Sequence, residues 1–507
     1  MSITPPSPKP KLSLEIHPSL PPSTTVSWAN NMVQNVTCEL KKQRGMAVPL
    51  VAMNLTWFIK QAITTAFLGR LGELQLAGGA LGFMFGNVTG FSILTGLCGA
   101  MEPICGQAYG AKNFKLLHKT LLMATLLLLL ATIPISILWL NVGKILPLFG
   151  QQEDMVAMAQ KYLLYLLPDL IVTAFLCPLK AYLSAQGITL PIMLSSTLAV
   201  AFHVPINILL SQAKGVEGVA IAVWVSDLLV MLLLAFYVLH IEMREREKWQ
   251  QGGWWDQGTK EWRALLSLCG PCCLTGCLEW WCYEILVLLT GRLPNAREAV
   301  GVLAIVLNFD YLLFSVMLSL SVCASTRVSN ELGANQPKAA YRSAYVSLIT
   351  AAFSGCMGAT IMVVARGWWG PLFSRDKGVI KGVKKMMVMM AMIEVANFPL
   401  TVSGGIVRGT ARPWLGTYAS LGGFYLLALP LGSVLGFKAK LGLGGLFLGF
   451  LAGASTCLLL LLVFIARIDW AEEASKAQIR ASAGEEFLTE KSEDKTLELR
   501  QNPEVTA

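Results

Sequence analysis

Charged residues are scarce in this chain of 507 residues: Asp, Glu, Lys and Arg together make up 14% of it, whereas 54% is hydrophobic. Soluble globular domains carry roughly 25% charged residues. A chain this apolar would aggregate if most of its length faced water. The scarcity of charge therefore excludes an ordinary soluble protein and favours a membrane protein of many spans.

The motifs of several enzyme classes are missing as well. No G-x-x-x-x-G-K-[ST] sequence occurs, so the chain has no P-loop for ATP, and no G-x-S-x-G motif indicates a serine hydrolase. The histidines do not form the H-x-x-x-H spacing that a metal-dependent membrane oxidase would need. They are His17, His118, His203 and His240. We therefore expect no enzymatic activity, no metal site and no bound cofactor.

The formal net charge of +9 comes from basic residues that lie between apolar runs. This placement is typical of cytoplasmic loops and argues against nucleic acid as a partner. The basic segments include Lys112–Lys119, a loop with Lys338 and Arg342, and both termini, so we assign the termini to the cytosol. The cluster Arg375–Lys385 falls on the opposite side and has no explanation in the sequence. The pattern does not choose between the plasma membrane and an endomembrane such as the vacuole, Golgi or late endosome.

About twelve apolar stretches are long enough to cross a bilayer, which takes about 20 residues per helix. The fold class that we predict is an all-α polytopic membrane protein of twelve transmembrane helices. Two polar ends and one polar linker divide the chain. The predicted segments are a disordered cytoplasmic N-terminal segment (1–45), a first lobe of six spans (46–241), a cytoplasmic linker (242–263), a second lobe of six spans (264–467) and a disordered or loosely helical cytoplasmic tail (468–507).

The two halves repeat one another. Gly69-Arg-Leu71 recurs as Gly291-Arg-Leu293 and Gln186-Gly187 recurs as Arg408-Gly409, each after 222 residues. Several such matches in the same order indicate an internal duplication. Because each copy has an even number of spans, both copies enter the membrane from the same side and form parallel repeats. Lobes related in this way can rock about a central cleft and give alternating access.

Four motifs in these halves resemble those of a known transporter family. They are Leu68-Gly-Arg-Leu-Gly72, Cys105-Gly-Gln-Ala-Tyr-Gly-Ala111, Pro178-Leu-Lys-Ala-Tyr-Leu-Ser-Ala-Gln-Gly187 and Cys277-Leu-Glu-Trp-Trp281. The chain resembles the multidrug and toxic compound extrusion (MATE) transporters, and the last motif is similar to the plant DETOXIFICATION branch. The resemblance implies two six-helix lobes around a central cleft, and cation-coupled antiport of organic solutes.

Carboxylates inside the second-lobe spans are the candidates for proton coupling, because an ionisable group at membrane depth is costly unless it is neutralised or paired. Glu279 and Glu284 lie in the seventh span, about 140° apart around the helix. The resemblance places the family's seventh-span acid at Glu279 and a tenth-span aspartate at Asn397, which Glu394, one turn earlier, could replace. An ion pair with a neighbouring helix is the alternative role. For Asp310 in the eighth span we favour a hydrogen-bonding role.

The first lobe offers fewer candidates. Prokaryotic relatives use a first-span aspartate, whereas this stretch contains Asn54, Lys60 and Gln61, so we expect the charge-changing step in the second lobe. Three other carboxylates lie in or near first-lobe spans, where Lys180 or other bases could neutralise them: Glu102, Asp169 and Asp227. For His203 we favour a structural hydrogen-bonding role over a proton relay.

Aromatic side chains are the expected substrate contacts in the cleft, and the alternative is that they only pack or face lipid. The candidates are Trp57, Phe58, Tyr283 and Phe314. We predict a monomeric exporter of small organic solutes, such as xenobiotics, secondary metabolites or hormone-like compounds, that works by proton-coupled antiport within the lipid bilayer. The coupling ion, H+ or Na+, stays open, as does the charge of the solute. The alternatives are a lipid-linked precursor flippase and a non-transporting receptor or scaffold.

Overall fold

The computed structural model describes residues 23–149, 151–244 and 258–482, and within these ranges it contains helices and no strand. A short helix, Val142–Ile145, follows the third long helix. The long helices are α1 Ser23–Leu71, α2 Glu73–Gly110, α3 Phe114–Leu140, α4 Glu153–Ala185, α5 Leu190–Lys214, α6 Val216–Arg244, α7 Thr259–Thr290, α8 Ala296–Gly333, α9 Pro337–Phe373, α10 Lys377–Gly409, α11 Pro413–Lys438, α12 Leu443–Ala466 and α13 Trp470–Ser482.

Twelve of the described helices, α1 to α12, are long and apolar enough to cross a membrane, with mean hydropathies from 1.3 to 2.5 over their most apolar windows. Helices are expected here because lipid offers no partner to backbone N–H and C=O groups, and a helix satisfies these groups within itself. The predicted fold class is therefore confirmed. The connections are short: one residue, Gly72, separates α1 from α2, and one residue, Gly215, separates α5 from α6.

The N-terminal boundary differs from the prediction of a disordered segment over 1–45. Helix α1 begins at Ser23, and residues 1–22 lie outside the described ranges. Its polar part is ordered by contacts with the second lobe: Glu39 is 2% exposed and accepts hydrogen bonds from Arg327 Nε and Nη2 at 3.0 and 2.9 Å. Gln43 Nε2 donates to the Ser343 carbonyl at 3.2 Å. Hydropathy does not reveal partners that lie 300 residues away in the chain.

The tail also begins with an ordered segment, because α13 extends to Ser482, and residues 483–507 lie outside the described ranges. Ala474, Ala477 and Ala481 form a buried stripe on α13. Glu473, 1% exposed, forms an ion pair with Arg412. Small residues at intervals of three and four let this helix pack closely against the second lobe.

Each lobe has its own hydrophobic core. One core is built from residues between Leu68 and Val238, and the other from residues between Cys282 and Ala477. Helix α10 is the most enclosed of the twelve spans, with 67% of its apolar window buried inside the protein. Glu394 and Asn397, which lie in the apolar part of α10, are therefore buried, whereas the lysines of its first turns are exposed.

The backbone repeats the duplication that the sequence shows. Gly215 has φ 60° and ψ −129°, and its counterpart Gly442 has φ 59° and ψ −136°. Both values lie in a region open to glycine and strained for other residues. Lys112 and Asn335, which follow the second span of each lobe, likewise have φ 60° and 56°. Equivalent turns in the two lobes therefore have the same unusual geometry.

The lobes meet at one face of the membrane domain, where α2, α4, α8 and α10 end; we call it the linker face. Gln107 Nε2 donates to the Gly409 carbonyl at 3.2 Å, and Asn330 Nδ2 donates to the Ala185 carbonyl at 3.1 Å. A Cβ atom at Gly333 would collide with the main-chain carbonyl of Gln107, so the crossing of α2 and α8 depends on glycine. The lobes are therefore in direct contact at the linker face.

Candidate functional site

The interior of the second lobe contains a polar cluster that α10 positions. Glu394 and Asn397 lie one turn apart on this helix, and their side chains are 0% and 6% exposed. Asn397 Nδ2 donates a hydrogen bond to Tyr283 Oη on α7 at 3.1 Å. The Tyr283 ring packs on Phe450 of α12, with 4.8 Å between ring centroids. Three of the residues predicted from the sequence thus come together.

Asp310 on α8 also belongs to this cluster, as the partner of Glu394, which the sequence did not predict. Its carboxyl group lies within hydrogen-bonding distance of the Glu394 carboxyl group. Both Glu394 oxygens and Asp310 Oδ1 are buried without a well-aligned hydrogen-bond donor in the described part of the chain, and the Asn397 amide, one turn along α10, lies beside the Glu394 carboxyl group. The described residues also contain no cluster of three or more His, Cys, Asp or Glu suited to a metal ion. If both Asp310 and Glu394 were ionised, no positive charge in the described residues would offset their repulsion. A proton shared by the two carboxyl groups would remove that repulsion.

Glu279 on α7 is half-buried and lies near the acid pair without belonging to it. Its nearest charged neighbours are Arg408 on α10 and Asp310 on α8. Within the described residues Glu279 forms no ion pair. Arg408 is instead bound to the first lobe: its Nε donates to Glu102 Oε2 of α2 at 3.1 Å, and its Nη2 donates to Ser321 Oγ of α8 at 3.2 Å.

The remaining candidates of the second lobe make other contacts. Glu284 is half-buried near Tyr311, and Phe314 packs edge-to-face on Trp280 at 5.2 Å between centroids. In the first lobe, Trp57 is 45% exposed, and its neighbour Phe58 is half-buried. The role of these aromatic residues in substrate contact stays a prediction.

The first lobe contains a buried ion pair at membrane depth. Lys60 Nζ of α1 lies 2.7 and 2.6 Å from the two carboxylate oxygens of Asp227 on α6. Asp169 lies near this pair and has one oxygen without a donor in the described ranges. The sequence suggested that Lys180 or other bases could neutralise these acids: Asp227 pairs with Lys60, Glu102 pairs with Arg408, and Lys180 interacts with Asp169 and Asp227.

His203 lies beside this ion pair in a hydrogen-bond network. Its Nε2 atom lies 2.9 Å from Asn207 Nδ2 and 3.1 Å from Thr64 Oγ1, and its Nδ1 atom lies 2.7 Å from Ser226 Oγ. Each ring nitrogen therefore has a hydrogen-bond partner. These contacts favour the structural role that we expected for His203.

The fold has lobes of six spans that meet at one face, and ionisable groups are buried between these spans. Together these features define a multi-span membrane transporter. The chain belongs to the MatE family of transporters, whose family model matches residues 49–209 and 271–434. The resemblance seen in the sequence is therefore confirmed.

The relatives include plant proteins and solved structures. The chain is 63% identical to Protein DETOXIFICATION 56 of Arabidopsis thaliana over 89% of this chain and 92% of that protein. It is 40% identical to Protein DETOXIFICATION 51 of the same plant, over 88% and 84% of the two chains. The crystal structure of the eukaryotic MATE transporter AtDTX14 matches with a TM-score of 0.81 and 32% identity, over 88% of this chain and 100% of that chain. The Vibrio cholerae MATE transporter VcmN, as its D35N mutant, shares the fold with a TM-score of 0.78 at 19% identity, over 86% and 99% of the chains.

Proposed function

We propose that this transporter exports small organic solutes in exchange for protons, and that the Asp310–Glu394 pair binds the coupling proton. The observation that carries the proposal is a pair of buried, adjacent carboxyl groups with no cation beside them among the described residues. Two full charges about 4 Å apart repel by about 4 kcal/mol at an effective dielectric constant of ~20. That energy corresponds to about three powers of ten in proton affinity, which favours a shared proton over two bare carboxylates.

Loss of this proton would change the packing of the second lobe. The two carboxylates lie on α8 and α10, so their repulsion would act to separate helices that are otherwise closely packed. Asn397 and Tyr283 connect α10 to α7, which carries Glu279 on its half-buried side. Glu279 is thus suited to pass protons between the cleft and the pair. We assign no role in coupling to Glu284, which lies near Tyr311 instead.

We place the linker face in the cytosol, because the basic segments around Lys41, Lys112 and Lys338 lie on that side. The lobes are then in contact on the cytosolic side.

The test uses purified protein in liposomes that contain a pH-sensitive dye. Ethidium serves as a cationic solute and carboxyfluorescein as an anionic one. We expect uptake of at least one probe to depend on the pH gradient and to be matched by movement of protons in the opposite direction. The rate of this uptake should fall at least tenfold in Asp310→Asn and in Glu394→Gln. Glu298→Gln is the matched control, because Glu298 is exposed on the first turn of α8. Uptake that persists after an ionophore abolishes the pH gradient would contradict the proposal.

A further inference from the structure

Helix α13, which follows the last span, lies on the linker face and contacts both lobes. Its first turns belong to the second lobe: Ala477 is buried in the core of that lobe, and Glu473 forms an ion pair with Arg412. The Trp470 ring packs edge-to-face on Tyr341 of α9, with 6.1 Å between the ring centroids. The start of α13 is therefore fixed to the second lobe.

The end of α13 is bound at the point where the lobes meet. Gln478 Nε2 donates a hydrogen bond to the Gly333 carbonyl at the end of α8. Asn113 of the first lobe, in the turn between α2 and α3, donates from Nδ2 to the Ala481 carbonyl at 2.8 Å. Carbonyl groups in the last turn of a helix have no partner within that helix, and each of these amides supplies one. Within one turn, α13 is thus bound to both lobes.

The two side-chain atoms of Asn113 make different contacts. Oδ1 accepts a hydrogen bond from Leu116 N at 2.9 Å and caps the start of α3, whereas Nδ2 binds α13. The equivalent turn of the second lobe has Gln336, by the offset of 223 residues that relates Gly110 to Gly333. Gln336 is exposed and makes no capping hydrogen bond. This turn therefore forms without a bound side-chain amide, and the contact of Asn113 with α13 is an addition to it.

We propose that α13 is a strap that holds the two lobes together at the linker face, and that its last turn leaves Asn113 before the lobes separate there. The inference rests on the proposed transport, because a solute that enters from this face has to pass between the lobes. An ion pair and a buried alanine stripe hold α13 on the second lobe. The hydrogen bond to Asn113 is weaker than these contacts together, so α13 stays on the second lobe when the lobes separate.

A buried native cysteine reports whether the lobes separate. Cys323 on α8 is 2% exposed and lies between the lobes, with its Sγ 3.6 Å from the Gln43 carbonyl oxygen of α1. Cys38, in the polar part of α1, is exposed and provides a reference for the reactivity of a free thiol. Cys457 is buried in the core of the second lobe and controls for general unfolding. Alkylation by N-ethylmaleimide, counted peptide by peptide in a mass spectrometer, measures all three in the intact chain.

The test variant is Asn113→Asp, because an aspartate keeps the capping oxygen for Leu116 N and lacks the N–H group that binds Ala481. Gln336→Glu is the matched control, since it makes the same change in the equivalent turn of the second lobe. With the protein in nanodiscs at one fixed pH, we expect the ratio of Cys323 to Cys38 labelling to rise roughly fivefold in Asn113→Asp. The ratio should not change in Gln336→Glu. Hydrogen exchange of peptides that cover 470–482 should also become faster in Asn113→Asp alone.

Unchanged Cys323 labelling in Asn113→Asp would overturn the inference, and it would do so even if hydrogen exchange in α13 became faster. An equal rise in Gln336→Glu would also overturn it, because the added charge and not the lost contact would then be the cause. If Cys457 labelling shows that Asn113→Asp is unfolded, Asn113→Ser replaces it, since a serine caps α3 and is too short to reach Ala481. No pH gradient enters this assay, so its result is independent of the proton antiport, which the flux measurement tests separately.

Discussion

The ion pair between Lys60 and Asp227 allows a quantitative test of the polar interior. The side chains of Lys60 and Asp227 are 7% and 20% exposed, so neither charge can be fully hydrated if its partner is removed. Loss of one partner from a buried pair typically costs about 3–5 kcal/mol. We expect about 3 kcal/mol for Asp227→Asn, because the amide oxygen still accepts a hydrogen bond and Asp169 is near. Lys60→Met should cost less, since the more exposed Asp227 can recruit water or a proton.

The double variant Lys60→Met/Asp227→Asn removes both charges and should be more stable than Asp227→Asn alone. The assay is thermal unfolding in detergent followed by tryptophan fluorescence, at one fixed scan rate because such unfolding is commonly irreversible. Glu472→Gln serves as the control, since it breaks the exposed pair with Lys476 and should leave the midpoint unchanged. A double variant whose loss equals the sum of the single losses would refute the reasoning, because it would show no coupling between the charges.

Three further predictions concern contacts between elements. Gly333→Val should raise the alkylation of the buried Cys323 thiol by N-ethylmaleimide several-fold, because the valine side chain would collide with a main-chain carbonyl of α2. Gly301→Ala should leave this alkylation unchanged, because Gly301 has open space around it. Tyr283→Phe should lower stability by about 1 kcal/mol, because Asn397 loses its hydrogen-bond acceptor, and it should reduce gradient-driven flux less than Glu394→Gln does. Glu473→Ala should speed proteolysis after Ala466, since it removes the buried ion pair of α13 with Arg412. Unchanged cleavage would show that the buried alanine stripe alone is enough to keep α13 packed.

Most of the architecture could be predicted because membrane-spanning helices are encoded locally. An apolar run of about 20 residues indicates a span wherever it occurs, and the offset between Gly69 and Gly291 indicates the duplication. The ends of the membrane domain could not be predicted in this way. The polar half of α1 is ordered through Glu39 and Arg327, and α13 through Glu473 and Arg412, so each depends on a partner distant in the sequence.

The candidate site was predicted only in part for the same reason. Glu394 and Asn397 are separated by one turn, so their shared face follows from helix geometry. Whether Asp310 faces Glu394 depends on how α8 and α10 are rotated relative to each other, which single-helix patterns do not determine. Arg408 lies in a motif that we interpreted only as a sign of the duplication, and its contact with Glu102 becomes evident only when the two lobes are placed together.

The most direct test of the central claim asks whether the Asp310–Glu394 pair holds a proton. Infrared difference spectroscopy of the protein detects the C=O stretch of protonated carboxyl groups, and the spectra of variants assign it. We predict a protonated carboxyl band in the wild type that is lost or shifted in both Asp310→Asn and Glu394→Gln and retained in Glu284→Gln. A wild-type spectrum without such a band, or a band that both substitutions leave unchanged, would contradict the account.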